Sequence, residues 1–290
     1  MGFAGMMIIQ HVKEMQDYAE SLRNKGERIS FVPTMGYLHD GHVSLMKEAK
    51  RRGDYLIISI YVNPVQFIAG EDFEKYPRDM ARDEKIAGAA EVDVIFSPAH
   101  AEMYPEQYQT YVTAEEVTRN LCGISRPGHF RGVTTVCAKL FHIVKPHVAV
   151  FGKKDFQQLV AIRRMVDDLN MDIEIIGMPT ARETDGLAMS SRNVYIKANE
   201  RASALSLSRS LAMAGELYAQ GERDAGMILS RIRAYIEGHP YTRIDYAKIC
   251  NTKTLEDVER LAGEEVLALA VMVGSTRLID NYVFGEELSI

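Results

Sequence analysis

The sequence lacks the long apolar runs of membrane proteins and the paired cysteines of secreted domains. None of its 290 residues lies in a stretch approaching the ~20 consecutive apolar residues that a membrane-spanning helix needs. The cysteines Cys122, Cys137 and Cys250 are odd in number and far apart, which indicates a reducing compartment. The opening MGFAGMMIIQ has no basic n-region, so we expect no signal peptide. Together these absences predict a cytoplasmic protein without a membrane partner.

An excess of basic residues is also missing. The chain has 34 Lys and Arg against 40 Asp and Glu, a formal net charge of -6. Because nucleic-acid binding relies on a basic surface, we expect no nucleic-acid partner, although a local basic pocket is not excluded. Neither an internal repeat nor a low-complexity tract is present. The composition, 47% hydrophobic and 26% charged, is that of a globular chain long enough for one large or two modest domains.

Strand and helix patterns alternate through about residue 184. Apolar, β-branched runs predict strands, and periodic apolar positions predict helices between them. This order is typical of an α/β fold with a parallel sheet and helices on both of its faces. From about residue 185, two helical stretches precede β-rich segments, which predicts a smaller α+β domain. The predicted strands of the first part are ISFVP, DYLIISIYV, VDVIF, HVAVFG and DIEIIGMP.

Polar segments, three of them containing glycine, follow four of these strands. In a parallel sheet, ligands bind beyond the carboxyl ends of the strands. Residues carried by several strand ends can therefore converge on one ligand, and we expect a binding cleft there. The segments are PTMGYLHDGH, NPVQF, GKKDFQQ and PTARETDGLAMSSR.

The first of these segments places His39 and His42 around Gly41, where the strand pattern changes to a helix pattern. Gly41 allows another molecule to approach the backbone closely. His42 then falls in the first turn of a helix predicted over about residues 42 to 51, near unpaired N–H groups that favour phosphate. Two imidazoles there can stabilise a phosphoryl group during transfer. The alternative is a helix cap with two exposed histidines; a zinc site is disfavoured because no third ligand has motif spacing.

Other polar residues at the strand ends also suit an anionic ligand. Lys154 of GKKD can bind phosphates while Asp155 caps a helix, and the SSR segment at residues 190 to 192 offers two hydroxyls and a guanidinium. Gln66 and Gln158 are neutral amides suited to orienting hydroxyls and carboxylates. Taken singly, GKKD is equally consistent with an ordinary solvated turn, SSR alone is a weak signal, and an isolated glutamine is more often plain polar surface.

Two charged stretches lie outside the strand ends. Asp83 belongs to EDFEKYPRDMARDE, a run that is usually a solvated helix face, although its carboxylate can hold a magnesium ion, mostly through water. The segment SRPGHFRG at residues 125 to 132 has two arginines around a Pro-Gly turn and predicts a mobile loop that closes over an anion.

In this order the motifs resemble the pantothenate synthetase family, within the nucleotidyltransferase superfamily that bears the His-x-Gly-His signature. The resemblance runs from FVPTMG to SSRN, and YAKIC with ALAVMVGSTRLIDN extends it. The signature alone is shared with other nucleotidyltransferases and some aminoacyl-tRNA synthetases. The ordered set is far more specific, and it consists of PTMGYLHDGH, NPVQF, YPRD, RPGHFRG, GKKDFQQL and DGLAMSSRN.

The resemblance implies an activity and an architecture. The activity is ATP-dependent, magnesium-assisted condensation of (R)-pantoate with β-alanine through a pantoyl adenylate, which yields pantothenate, AMP and pyrophosphate. The architecture is a Rossmann-like domain over residues 1–184, a smaller C-terminal lid domain over residues 185–290, and a homodimer.

The resemblance also implies the site residues. Gln66 would bind pantoate and β-alanine, and Gln158 pantoate. His42 is the residue to which such families assign the proton-donor role, and His39, Lys154 and Arg192 join it as catalytic candidates. The implied nucleotide site consists of Met35, Gly36, Tyr37, Leu38, His39, Asp40, Gly41, His42, Gly152, Lys153, Lys154, Asp155, Ala181, Met189, Ser190, Ser191 and Arg192.

Three positions depart from the commoner family pattern. Lys153 stands where glutamate is frequent, Met189 where leucine is frequent, and Cys122 where a glutamate often precedes the SRPGHF loop. The first two are expected to alter side chains that face away from ATP. The third leaves open how the loop is anchored.

Two other functions stay open at this stage. A related adenylyl transferase acting on a phosphorylated acceptor would need extra basic residues where this chain has Gln66 and Gln158. A non-catalytic nucleotide- or RNA-binding protein would need a basic face, whereas this chain is acidic overall.

Overall fold

Six parallel strands form the sheet of the first part of the chain. The computed structural model describes residues 5–287. The first four residues of MGFAGMMIIQ, the segment examined above for a signal peptide, lie outside the described residues. The strand order is β1-β4-β3-β2-β5-β6 and every pairing is parallel, which confirms the predicted sheet. The strands are β1 (Met7–Ile9), β2 (Ile29–Thr34), β3 (Tyr55–Ile60), β4 (Val94–Phe96), β5 (Val148–Gly152) and β6 (Glu174–Met178).

Seven α-helices lie along the chain between Val12 and Asp168. The predicted helices are confirmed, with ends that differ by a few residues; α2 begins at Asp40 and not near residue 42, because His39 already stands at its N-cap. The three-residue strand β1 was not predicted, since so short a run carries no periodic signal. The helices are α1 (Val12–Asn24), α2 (Asp40–Lys50), α3 (Met80–Ala89), α4 (His100–Met103), α5 (Cys122–Ser125), α6 (His129–Val144) and α7 (Phe156–Asp168).

Helices cover both faces of the parallel sheet, as predicted. On one face, Phe31 of β2 meets Phe141 of α6 edge to face, with ring centroids 6.5 Å apart. The next residue, Val32, points to the opposite face because strand side chains alternate. There it joins a core cluster with Met46 of α2 and Ala87 of α3, all of them fully buried.

The strand order reverses between β2 and β5. From β2 the chain continues outward through β3 and β4 on one side, while β5 and β6 extend the other side. Such a switch point opens a crevice beyond the carboxyl ends of the two central strands, which is where open α/β sheets bind ligands. The segments that begin at Met35 and at Lys153 leave these two strand ends.

An antiparallel three-stranded sheet packs on two helices in the last part of the chain, which confirms the predicted α+β architecture. The predicted β-rich segment VLALAVMVGSTRLIDNYVF forms a hairpin that turns at Gly274, where φ is +58°. Leu211, Ile232 and Leu269 are buried in the core between helices and sheet. The elements are α8 (Arg201–Ala219), α9 (Ala225–Glu237), β7 (Thr242–Asn251), β8 (Glu265–Val273) and β9 (Thr276–Val283).

The described chain divides into two compact units. The first contains the residues up to Ala114, Arg126–Lys153 and Ala161–Pro179; the second contains Glu115–Ser125, Lys154–Val160 and the residues from Thr180 onward. The domain boundary at residues 184 and 185 stays a prediction. Within residues 5–287, no helix is both long enough and apolar enough to cross a membrane.

Candidate active site

The turn between β2 and α2 builds the centre of the candidate site in the first unit. Two consecutive residues have left-handed backbone, Gly36 with φ +79° and Tyr37 with φ +49°. Glycine adopts this conformation freely, whereas tyrosine does so at a cost of about 1–2 kcal/mol. The hydroxyl of Thr34 helps to hold the turn, since Oγ1 accepts the Gly36 N–H at 3.1 Å and donates to the Ser59 carbonyl at 2.7 Å.

The two histidines of the signature lie side by side at the start of α2. Their ring centroids are 4.0 Å apart. The His39 backbone N–H donates to Nδ1 of His42 at 3.3 Å, and the His42 N–H donates to the His39 carbonyl at 2.8 Å. Because Nδ1 of His42 accepts a hydrogen bond, a neutral His42 ring carries its proton on Nε2. Both histidines are half-buried. His42 is the third residue of α2, which confirms its predicted placement in the first helical turn.

The amide of Gln66 lies next to this turn. Its Nε2 contacts the Met35 sulfur at 3.2 Å, and its Oε1 accepts a hydrogen bond from Nδ2 of Asn63 at 3.1 Å. Asn63 is buried and also donates to the Gly132 carbonyl at 3.1 Å. The structure therefore brings a residue predicted to bind pantoate against a residue predicted to bind the nucleotide.

Arg126 supports the backbone of Gln66. Its guanidinium forms a two-pronged ion pair with Glu71, with Nη2 at 2.7 Å from Oε2, and contacts Nε2 of His129 at 3.0 Å. Nδ1 of His129 is 2.7 Å from the Gln66 carbonyl. Burial raises the pKa of Glu71, but the hydrogen bond and the charge of Arg126 outweigh it and lower that pKa overall. Arg126 is one of the two arginines predicted to close over an anion, and in this structure it is paired with Glu71.

In the second unit, strand β9 anchors Lys154. The side-chain amide of Asn281 donates to the Lys154 carbonyl at 2.8 Å. Lys154 belongs to a 3-10 turn over Lys153–Asp155, and Gln158 follows half-buried in the first turn of α7. The neighbouring residue Asp280 contacts a second predicted site segment, the loop from Ala181 to Arg192. Strand β9 therefore holds both Lys154 and this loop.

That second segment is the loop from Ala181 to Arg192. The Met189 N–H donates to the Ala181 carbonyl at 2.9 Å, which joins the two ends of the loop. Arg182 forms a buried two-pronged ion pair with Asp280, at 2.7 and 3.1 Å. Ser190 then caps the 3-10 turn Ser191–Tyr195 by accepting the Arg192 N–H at 3.2 Å. Within the second unit, Ala181 and the Met189–Arg192 segment are therefore brought together as predicted.

Comparisons with known proteins decide the family. A model of the pantoate–β-alanine ligase family matches residues 7–283.

The chain belongs to the pantoate–β-alanine ligase family.

Relatives support this assignment along almost the whole chain. The pantothenate synthetase of Syntrophus aciditrophicus (strain SB) is 70% identical over 285 residues, covering 98% of this chain and 100% of the relative. The crystal structure of pantothenate synthetase from Thermus thermophilus has a TM-score of 0.91 and 40% identity, covering 96% of this chain and 99% of that one. Pantoate–β-alanine ligase from Francisella tularensis, complexed with beta-gamma ATP and β-alanine, has a TM-score of 0.80 and 33% identity, covering 98% and 100%. The resemblance that the motifs predicted is confirmed.

The segment that carries Cys122, where the chain departs from the family pattern, is held through its backbone. Gln157 is buried in the second unit, and its Oε1 accepts the Cys122 backbone N–H at 3.0 Å. Its Nε2 donates to the carbonyls of Val117 and Asn120, at 3.0 and 2.8 Å. Because these contacts use backbone groups of the Glu115–Ser125 segment, they are independent of the side chain at position 122.

Sequence reasoning missed two residues that hold candidate site residues, one in each compact unit. Asn63 holds Gln66, and its only sequence signal is the Asn-Pro turn that follows β3. Asp280 holds Arg182 from a position 98 residues away, a pairing for which a single sequence has no signal.

Asp83, predicted to bind magnesium, lies buried beneath the ligase's histidine turn. Its exposed fraction is 1%, and its two oxygens accept the backbone N–H groups of Tyr37 and Leu38, each at 2.7 Å. Burial raises the pKa of Asp83, and the two N–H groups oppose that effect only in part. Within residues 5–287, no group of three or more His, Cys, Asp and Glu residues is arranged to hold a metal ion. Magnesium binding by Asp83 stays a prediction, and the contacts favour a different role.

Proposed function

We propose that this chain joins (R)-pantoate to β-alanine at the expense of ATP, with a pantoyl adenylate as intermediate and AMP and pyrophosphate as products. The observation that carries the proposal is the placement of the His39 and His42 imidazoles at the start of α2, beside the Met35–Gln66 contact. A phosphoryl-stabilising pair thus adjoins an amide suited to a hydroxy acid. Membership in the pantoate–β-alanine ligase family supports the same substrates.

The first half-reaction activates the carboxylate. A carboxylate acylates amines poorly, so an oxygen of pantoate attacks the α-phosphorus of ATP, an O–P bond forms, and pyrophosphate leaves. The protein positions the groups in line and stabilises the growing negative charge. His42 is suited to this because its Nδ1 is occupied by the His39 N–H, which directs the proton of the neutral ring to Nε2. His39, Lys154, Arg192, Ser190 and Ser191 are the further proposed donors.

The second half-reaction forms the amide. The amine of β-alanine attacks the carbonyl carbon of the adenylate, AMP leaves, and the amine loses a proton. Gln66 and Gln158 are proposed to orient pantoate through directed hydrogen bonds. The Gln66 amide is well placed for this task, because Asn63 and Met35 fix both of its polar ends. Water must be excluded while the mixed anhydride exists.

The proposal extends to the surroundings of the enzyme. Magnesium is proposed to accompany ATP, although Asp83 does not fit a direct ligand well. We also propose a cytoplasmic homodimer that handles small molecules and no nucleic acid, in keeping with the net charge of -6. Sedimentation at micromolar concentration tests the dimer, and a 32.6 kDa species would contradict it.

Isotope transfer tests the reaction path. Pantoate carrying heavy oxygen in its carboxylate is incubated with ATP and β-alanine, and the products are analysed by mass spectrometry. We expect one labelled oxygen in AMP. Label in inorganic phosphate together with ADP would contradict the adenylate and point to attack on the γ-phosphorus. Unlabelled AMP would point to direct attack on ATP by water or amine. A reaction without β-alanine is the control, because it should form no amide.

A further inference from the structure

Both oxygens of the Asp83 carboxylate are used by the backbone of the histidine turn. Oδ2 accepts the Tyr37 N–H and Oδ1 the Leu38 N–H, and each distance is 2.7 Å. We propose that Asp83 is a positioning residue that fixes the turn carrying His39 and His42, and not a direct ligand of magnesium. This inference rests on the proposed function in one respect, because it takes that turn to be part of the nucleotide site.

The conformation of the turn explains why a clamp is needed. Gly36 and Tyr37 both have left-handed backbone, and such residues persist only where the surroundings hold them. Adjacent N–H groups that converge on one point form a hollow that binds an anion. In many nucleotide-binding loops that anion is a phosphate, whereas here it is Asp83. The N–H groups of Tyr37 and Leu38 are therefore already occupied, and the phosphates must be bound by other donors.

The space around the carboxylate is also filled. A Cβ added at Gly36 would lie 2.9 Å from Oδ2 of Asp83 and 2.9 Å from Cγ2 of Ile60, so glycine is required at that position. Arg82 also lies close, with Nη1 3.7 Å from Oδ1 of Asp83 and its guanidinium 4.7 Å from the centre of the Tyr37 ring. A positive charge beside a buried carboxylate opposes the binding of a cation there.

The arrangement links α3 to the catalytic candidates by a short path. Asp83 stands in the first turn of α3, whose N-cap Asp79 accepts the Arg82 N–H at 3.0 Å. Leu38, which Asp83 holds, is fully buried and directly precedes His39, the N-cap of α2. A displacement of the Tyr37 and Leu38 backbone would therefore move the origin of α2 and both imidazoles.

The test compares Asp83→Asn with Asp79→Asn in the full chain. Both changes remove one carboxylate charge at the same helix end, but asparagine remains a good N-cap at position 79. Amide hydrogen exchange of Tyr37 and Leu38 is measured by NMR without nucleotide and with a chelator present. We expect exchange to accelerate about ten- to a hundredfold in Asp83→Asn, the range for losing a hydrogen bond to a charged group. The Asp79→Asn protein should match the wild type.

Kinetics then separate positioning from metal binding. For a positioning residue, Asp83→Asn lowers kcat while the magnesium concentration that gives half-maximal rate stays unchanged. Unaltered exchange of the two amides, or recovery of the rate at high magnesium, would overturn the proposal. If Asp83→Asn does not fold, Asp83→Glu replaces it, since the longer side chain keeps the negative charge that a metal ligand needs but shifts its oxygens away from the Tyr37 and Leu38 N–H groups; it should give the same two results. The exchange measurement uses no substrate, so its outcome is independent of the reaction that the enzyme catalyses.

Discussion

The buried ion pair between Arg182 and Asp280 gives a prediction whose size follows from the structure. The side chain of Arg182 is 7% exposed and that of Asp280 2% exposed, and two hydrogen bonds join them at 2.7 and 3.1 Å. In Asp280→Ala the guanidinium keeps the Gly186 carbonyl, at 3.1 Å, as its remaining partner among the contacts described. An almost unpaired buried charge results. We expect a loss of about 3–5 kcal/mol in the free energy of unfolding of this region.

A double substitution distinguishes this reason from a general loss of packing. If the cost comes from the charge left behind, Arg182→Leu with Asp280→Ala should be less destabilising than Asp280→Ala alone. The exposed pair Arg164–Asp168, whose side chains are 52% and 58% exposed, provides a matched control. Asp168→Ala should change the stability by less than about 1 kcal/mol.

Local hydrogen exchange is the suitable assay, because a chain with two compact units need not unfold in one step. Exchange of peptides from β9 and from the Ala181–Arg192 loop, followed by mass spectrometry, reports the free energy of opening of these segments. The KM for ATP should rise in Asp280→Ala, since the loop carries proposed nucleotide-binding residues. The reasoning is refuted if Asp280→Ala costs less than about 1 kcal/mol, or if the double variant is as unstable as the single one.

Two further predictions concern the proposed chemistry. His42→Ala should lower kcat roughly a hundredfold or more with little change in melting temperature, as expected for one preorganised donor; near wild-type turnover would exclude it from the mechanism. Gln66→Ala and Gln158→Ala should each raise the KM for pantoate and leave ATP binding in calorimetry nearly intact, and Asn63→Ala should resemble Gln66→Ala because it releases that amide. An equal loss of ATP binding in the glutamine variants would show that their assignment is wrong.

Local patterns predicted the elements that carry this site. Apolar runs such as ISFVP and HVAVFG became strands of the parallel sheet because they are buried on both faces, and the turn at the end of β2 was expected from its glycine and polar residues. The start of α2 was placed too late because His39 caps the helix, a role for which serine, threonine and aspartate are the usual signals.

Contacts between distant positions were not predictable in the same way. Asp83 reaches Leu38 across 45 residues, and Asn281 reaches Lys154 across 127. These pairings depend on where the completed fold places the side chains, and nothing in the local sequence distinguishes Asp83 from its solvated neighbours. The same charged run therefore suggested a metal ligand, whereas the contacts of Asp83 favour the positioning role proposed above.

Segments of the two compact units alternate along the chain, which limits the fragments of this protein that can contain a whole unit. The chain leaves the first unit after Ala114, returns at Arg126, leaves again after Lys153, returns at Ala161 and departs finally after Pro179. A fragment starting at Thr180 would lack Gln157 and the Glu115–Ser125 segment that Gln157 holds. The second unit therefore cannot be obtained as one continuous fragment of the chain. During synthesis, its segments Glu115–Ser125 and Lys154–Val160 therefore cannot complete their unit until β7 to β9 have been made.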